Sequence, residues 1–390
     1  MIPRIAILGL FPLALALLAP AAEPSLKVRE PRMEKITAYF GTYTGGKGSK
    51  GIYKASFDPA TGKLGEPSLA AEVVNPSFLA IHPTGKYLYA VGEIADFDKK
   101  TRSGAINAFA IQADGSLKFL NAESSGGGGP CHVTLDKAGK FVLAANYGGG
   151  SACVLPIETE GKVGKMAGFA QHKGSSVDKS RQEGPHAHSI NLDAANNYAF
   201  VADLGLDKVL IYKFDRETGK ITPNDPAAGE LKPGSGPRHF AFHPSGKFAY
   251  ANNEMTSSVT LFDYDATTGK LTPQQTLSTL PEPTKGNSTA EIVAHPNGKF
   301  LYVSNRGHNS IAQFVIDPTT GKLTANGHQG KGIKVPRNFA LDPTGKWCLV
   351  CNQDGNSVIV FKVDAETGKL EPTESKIEVS RPVCVRFLVK

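Results

Sequence analysis

Four residues of this 390-residue chain have side chains that would suit one reaction if they were brought together: His188, Arg238, Glu254 and Arg306. An imidazole can take a proton from water near neutral pH, and a carboxylate can do the same or anchor cations. Guanidinium groups bind planar carboxylate or phosphate in a bidentate way and stabilise a developing oxyanion. Such a set suits proton transfer beside a bound anion, with His188 or Glu254 as the acid/base group and Arg238 and Arg306 holding negative charge. No G-x-S-x-G motif is present, which disfavours a covalent acyl-enzyme route. The four are scattered along the chain, so the fold must gather them.

The means of gathering is a repeat. The phrase aromatic-x-x-D-x-x-T-G-K-L recurs after strand-like runs near H/D-P-x-G-K, and three copies are well aligned: PRHFAFHPSGKFAYANNE… from Pro237, STAEIVAHPNGKFLYVSNR… from Ser288 and PRNFALDPTGKWCLVCNQ… from Pro336. Weaker copies start near Pro76, Pro130 and Ala187. The period of roughly 50 residues lies in the range of propeller blades, and each copy reads as four short antiparallel strands broken by Gly, Pro, Asn and Asp. KITAYFGTYT from Lys35 matches the second strand of the repeat, and RPVCVRFLVK from Arg381 matches the first. The expected fold is therefore all-β, a seven-bladed β-propeller over residues 35–390, closed by the C-terminal strand completing the first blade, which removes two sheet edges.

Superposing the copies places equivalent residues around one axis. The second slot of the innermost strand holds Ser77, Cys131, His188, Arg238, Ala290, Arg337 and Val383. The third holds Phe78, His132, Ser189, His239, Glu291, Asn338 and Cys384. The end of the second strand holds Thr42, Glu93, Tyr147, Leu204, Glu254, Arg306 and Gln353. Antiparallel pairing puts these slots at one mouth of the channel. His132, His239 and Arg337 are accordingly expected to contact substrate there.

Other polar residues have simpler explanations. His82, His243 and His295 precede proline at the far end of the blade and suit turn capping. His186 and His188, two apart on one predicted strand, share a face, but the repeat supplies no third ligand, so no metal site is expected. Arg238 and Glu254 could form a salt bridge within a blade, and His308 reads as a solvated loop residue. Five cysteines at irregular spacing argue against a disulfide framework. Cys348 and Cys351, three apart on a strand, face opposite sides and read as small buried hydrophobes rather than a redox or zinc pair.

A formal charge of +7 arises from lysines spread one per blade through the G-K turns, without an aromatic-rich basic motif, so nucleic acid is not expected as a partner. At the N-terminus, Arg4 precedes the apolar run IAILGLFPLALALLA and the small residues Pro20, Ala21 and Ala22. This pattern predicts a secretory signal over residues 1–22 and a polar tether over 23–34, hence export to the periplasm or medium. An uncleaved membrane anchor is the alternative; the run is short and broken by Pro12 for a stable span.

The phrases GPRHFAFHPSGKFAYANNE, HSINL and FLYVSNR, in that order and in those blades, resemble the lactonase family of seven-bladed propellers that includes bacterial 6-phosphogluconolactonase and fungal carboxy-muconate lactonizing enzyme. The similarity runs over essentially the whole mature chain. It implies an active site of one His, two Arg and one Glu, which fall here on His188, Arg238, Glu254 and Arg306. It also implies opening of a sugar δ-lactone by metal-independent acid/base hydrolysis, without a cofactor, on a small substrate expected to be anionic. The familiar phosphorylated lactone is cytoplasmic, whereas the N-terminus points outside, so the substrate could be another sugar lactone. A lactonizing cyclase would use the same four residues in reverse, and a non-catalytic binding propeller would need none of them.

Overall fold

The computed structural model describes residues 36–45, 48–98, 100 and 102–389, with residues 1 and 3. The signal and tether expected within residues 1–34 otherwise lie outside the described residues. Seven antiparallel sheets follow one another along the chain. The fifth is representative: Pro237–Phe242, Phe248–Asn253, Ser258–Asp265 and Lys270–Ser278 run from the innermost strand to the outermost. The ring closes as the sequence predicts, because Pro382–Leu388 pairs antiparallel with Ile36–Thr42 in the first blade.

The repeated T-G-K turn joins blade to blade. Gly321 and Gly368 have φ of 69°, conformations that glycine adopts without strain. Each lies flat against an aromatic ring of the preceding blade; an added Cβ would come within 2.6 Å of Phe248 and 2.3 Å of Phe300. The turn carbonyls accept hydrogen bonds from buried tyrosines of that same preceding blade, Tyr250 Oη to Gly321 O at 2.9 Å and Tyr302 Oη to Gly368 O at 2.7 Å. Trp347 closes the ring in the same manner, donating from Nε1 to Pro59 O at 2.9 Å.

His82, His243 and His295 do a matching job at the other turn. Their Nε2 atoms bond the carbonyls of Gly139, Gly298 and Gly345 in the next blade at 3.0, 2.8 and 2.9 Å, so their role is structural, as expected. Apolar side chains fill the space between sheets; Tyr250 and Leu261 of the fifth blade pack with Leu301, Val303 and Phe314 of the sixth. Cys348 and Cys351 are free, fully buried and belong to different apolar clusters on opposite faces of their strand.

One irregularity recurs and controls the channel. The pairing of the first two strands slips at the second slot in six blades, between Gly41 and Thr42, Ala145 and Asn146, Ala187 and Ser189, Pro237 and His239, Thr289 and Ile292, and Pro336 and Asn338. A β-bulge leaves its extra residue outside the ladder and re-aims the side chain. His188, Arg238 and Arg337 are such extra residues. Freed backbone donors find side-chain acceptors nearby, His239 N bonding Asn252 Oδ1 at 3.0 Å and Glu291 N bonding Ser304 Oγ at 2.9 Å.

Candidate active site

Glu254 is the hub of the charged mouth. It follows Asn253, which is tied to Ser258 Oγ at 2.9 Å and so sharpens the turn out of the second strand. The same Asn–Ser link occurs at Asn305 and Ser310, 3.3 Å apart, just before Arg306. Around the Glu254 carboxylate, Arg306 Nη2 lies 2.9 Å and Arg238 Nε 3.0 Å from Oε2, and Arg181 Nη2 lies 2.7 Å from Oε1. The Arg238 Nε contact is close in charge but misaligned for a hydrogen bond. Burial raises the Glu254 carboxyl, but Arg306, Arg238 and Arg181 outweigh it and hold it at about 2. Burial likewise pulls Arg306 down, against the pull of Glu254, to about 10, so both groups are charged at neutral pH.

His188 is buried beside this hub. Its Nδ1 lies 3.5 Å from Cys131 Sγ, and its ring meets the edge of Tyr147 at 5.2 Å. Burial first, then the charges of Arg238 and Arg337, push the imidazole well below its ordinary value, so it is neutral at pH 7. The described contacts of His188 do not include Glu254. Tyr147 links them, since Arg181 Nη2 reaches both Tyr147 Oη at 3.3 Å and Glu254.

Arg181 is the residue that the repeat could not reveal. It lies in the segment between the last strand of the third blade, Gly168–Gln171, and the first of the fourth, Ala187–Leu192, where no other blade has a counterpart to align. The available signal was the length of that segment, 172–186. His186 belongs to it as well: it precedes the strand rather than sharing it with His188, and it stacks on Tyr147 at 4.6 Å. The shared strand face expected for that pair is therefore not formed.

The remaining expected contacts divide. Arg337 lies at the channel neck with Arg238, Ser77, Glu93 and Cys131, its guanidinium 5.2 Å above the Tyr43 ring, and it makes no ion pair among the described residues. Glu93 on the same level is bonded by Tyr43 Oη at 2.9 Å and by Ser77. His132 and His239 sit one residue further along the channel, away from the mouth where substrate contact is expected of them, bordering a cavity of about 500 Å³ that they share with Phe78, Glu291 and Arg386 and that reaches Pro296 and Pro343 of the far-end turns. The bulge explains this split: the second and third slots both face the axis, at different depths. His239 has both ring nitrogens engaged, with Glu291 Oε1 at 2.7 Å and Arg238 Nη1 at 3.1 Å. His132 Nδ1 accepts from Ile190 N at 3.3 Å.

A closed seven-bladed propeller with three arginines gathered around one buried carboxylate is thus the class that fold and geometry define. The chain belongs to the lactonase family of seven-bladed β-propellers, whose profile matches residues 37–387. It is 36% identical to a 6-phosphogluconolactonase of Bacillus subtilis over 358 residues, which is 91% of this chain and 99% of that one. It is also 36% identical to a 6-phosphogluconolactonase of Formosa agariphila, covering 78% of this chain and 86% of that one. The solved structure of a periplasmic gluconolactonase of Pseudomonas aeruginosa superposes with a TM-score of 0.85 at 31% identity, over 91% of this chain and 99% of that one. These relatives make the chain a lactone-hydrolysing enzyme of the carboxylic ester hydrolase class.

Proposed function

We propose that the protein opens a sugar δ-lactone at the mouth formed by His188, Arg238, Glu254 and Arg306, by metal-independent acid/base hydrolysis. The observation that carries this reading is the excess of guanidinium charge: Arg181, Arg238 and Arg306 surround one carboxylate, with Arg337, which has no ion pair among the described residues, close by. A carbonyl oxygen placed among them would gain stabilisation as it becomes an oxyanion. The same surplus favours a substrate with an anionic substituent. Glu254, held at about 2, is a weak base and serves to fix the arginines. Neutral His188 is the better acceptor for the proton of the attacking water.

Among the described residues no group of three His, Cys, Asp or Glu side chains could hold a metal, and the arginines can supply the positive charge a metal would bring. The apolar N-terminal run and the periplasmic location of the Pseudomonas relative support export. Within the described residues no helix is long and apolar enough to cross a membrane.

Purified protein should hydrolyse gluconolactone, its 6-phosphate or both, at a rate unchanged by chelator. Glu254→Gln and Arg306→Ala, if folded, should each lose about 10²–10³-fold in kcat/KM, the scale of a removed oxyanion donor. Equal turnover by wild type and both variants would reject the site. A higher kcat/KM on the plain lactone would reject the anionic preference.

A further inference from the structure

We infer that Glu291 and His239 form a buried relay that sets the orientation of Arg238, making both of them positioning residues for the reaction. The inference rests on the proposed lactone hydrolysis for its kinetic consequence but on geometry for its existence. Glu291 Oε1 lies 2.7 Å from His239 Nδ1, and its carboxylate also accepts from Ile292 N at 2.9 Å and from Asn338 Nδ2. An ionised carboxylate can only accept, so Nδ1 carries the ring proton. The imidazole then presents a bare Nε2, which lies 3.1 Å from Arg238 Nη1, an obligatory donor.

The other hydrogen of Nη1 goes to Ala290 O at 2.5 Å. Nη1 is thereby fully used on the inner side, while Nε faces Glu254 at 3.0 Å. Nη2 makes no hydrogen bond among the described residues and is the arm left for a substrate oxygen. Without Glu291 the opposite tautomer becomes available. His239 would then point an N–H at the N–H of Arg238, two donors face to face, and the guanidinium would have to turn away. The chain of contacts crosses three inner strands, from Ser288–Ala294 through Pro237–Phe242 to the rim, with Asn338 of Pro336–Leu341 holding the far end. Glu291 therefore acts on the mouth without touching substrate.

Two measurements test this. Nitrogen-15 chemical shifts of the His239 ring in the wild-type protein should show protonation at Nδ1 alone near neutral pH; an Nε2–H or doubly protonated ring overturns the relay whatever the enzyme's activity. In kinetics, Glu291→Leu, which removes the acceptor that a glutamine would still supply, should lower kcat about 10–100-fold with little change in KM, the size of effect typical when an orienting partner is lost. In an Arg238→Ala background the same substitution should have almost no further effect, because the group it positions is gone. Additive losses in that cycle would overturn the proposal, since a general structural role would harm both backgrounds alike. His239→Gln is the second variant for the cycle should Glu291→Leu fold poorly. If wild-type protein opened no lactone, the proposed function would fail while the ring shifts still decide the relay.

Discussion

Three guanidiniums converge on Glu254, and each has a different environment: along the side chain Arg238 is 2% exposed, Arg306 16% and Arg181 42%. That gradient predicts different kinetic phenotypes. Loss of Arg181 from the rim should mainly weaken binding of an anionic lactone, raising KM about 3–10-fold with kcat little changed, as when uniform binding is removed. Substrate titration of Arg181→Ala would show it, and a collapse of kcat instead would place Arg181 in the chemistry. On the proposed mechanism, the depressed value of His188 sets the pH dependence. A base must be unprotonated, so kcat/KM should rise with pH through a midpoint below the ordinary histidine value of 6.5 and then level off above it. An acid limb centred at 7 or higher would exclude His188 as the base.

At the scale of single elements, the turns that carry the repeat and the bulges that interrupt it have separate duties. The T-G-K turns hold neighbouring sheets together through Tyr302 and its equivalents. Tyr302→Phe should cost about 1–2 kcal/mol in denaturant unfolding, since Gly368 O is left without its donor. Gly368→Ala should cost more, because the new Cβ meets Phe300 at a left-handed φ of 69°. The bulges aim consecutive residues of the innermost strand at the channel, so Arg238 reaches the hub while His239 faces the deeper cavity. Spacing in the sequence could place Arg238 and His239 in adjacent slots, but simple strand alternation would have sent one of them away from the axis.

For the whole molecule, closure is the main feature. Pro382–Leu388 covers the edge of Ile36–Thr42 and contributes Val385 to an apolar cluster shared by the first and seventh blades. A chain ending at Arg381 should therefore lose its cooperative thermal transition and associate through the open edge, which size-exclusion chromatography and calorimetry would detect. Retention of a sharp monomeric transition would show that the ring does not depend on closure. The sequence alone determined the blade number and the closing strand, because a repeat puts equivalent positions at equivalent places around an axis, and the family resemblance singled out His188, Arg238, Glu254 and Arg306 among the polar residues of those slots. Tertiary structure decided what those residues do to one another. Arg181 comes from a segment with no repeat counterpart, and the depth of His132 and His239 follows from a bulge. The ionisation of Glu254 and His188 depends on burial and on charges brought from several blades, and only the closed ring sets those distances.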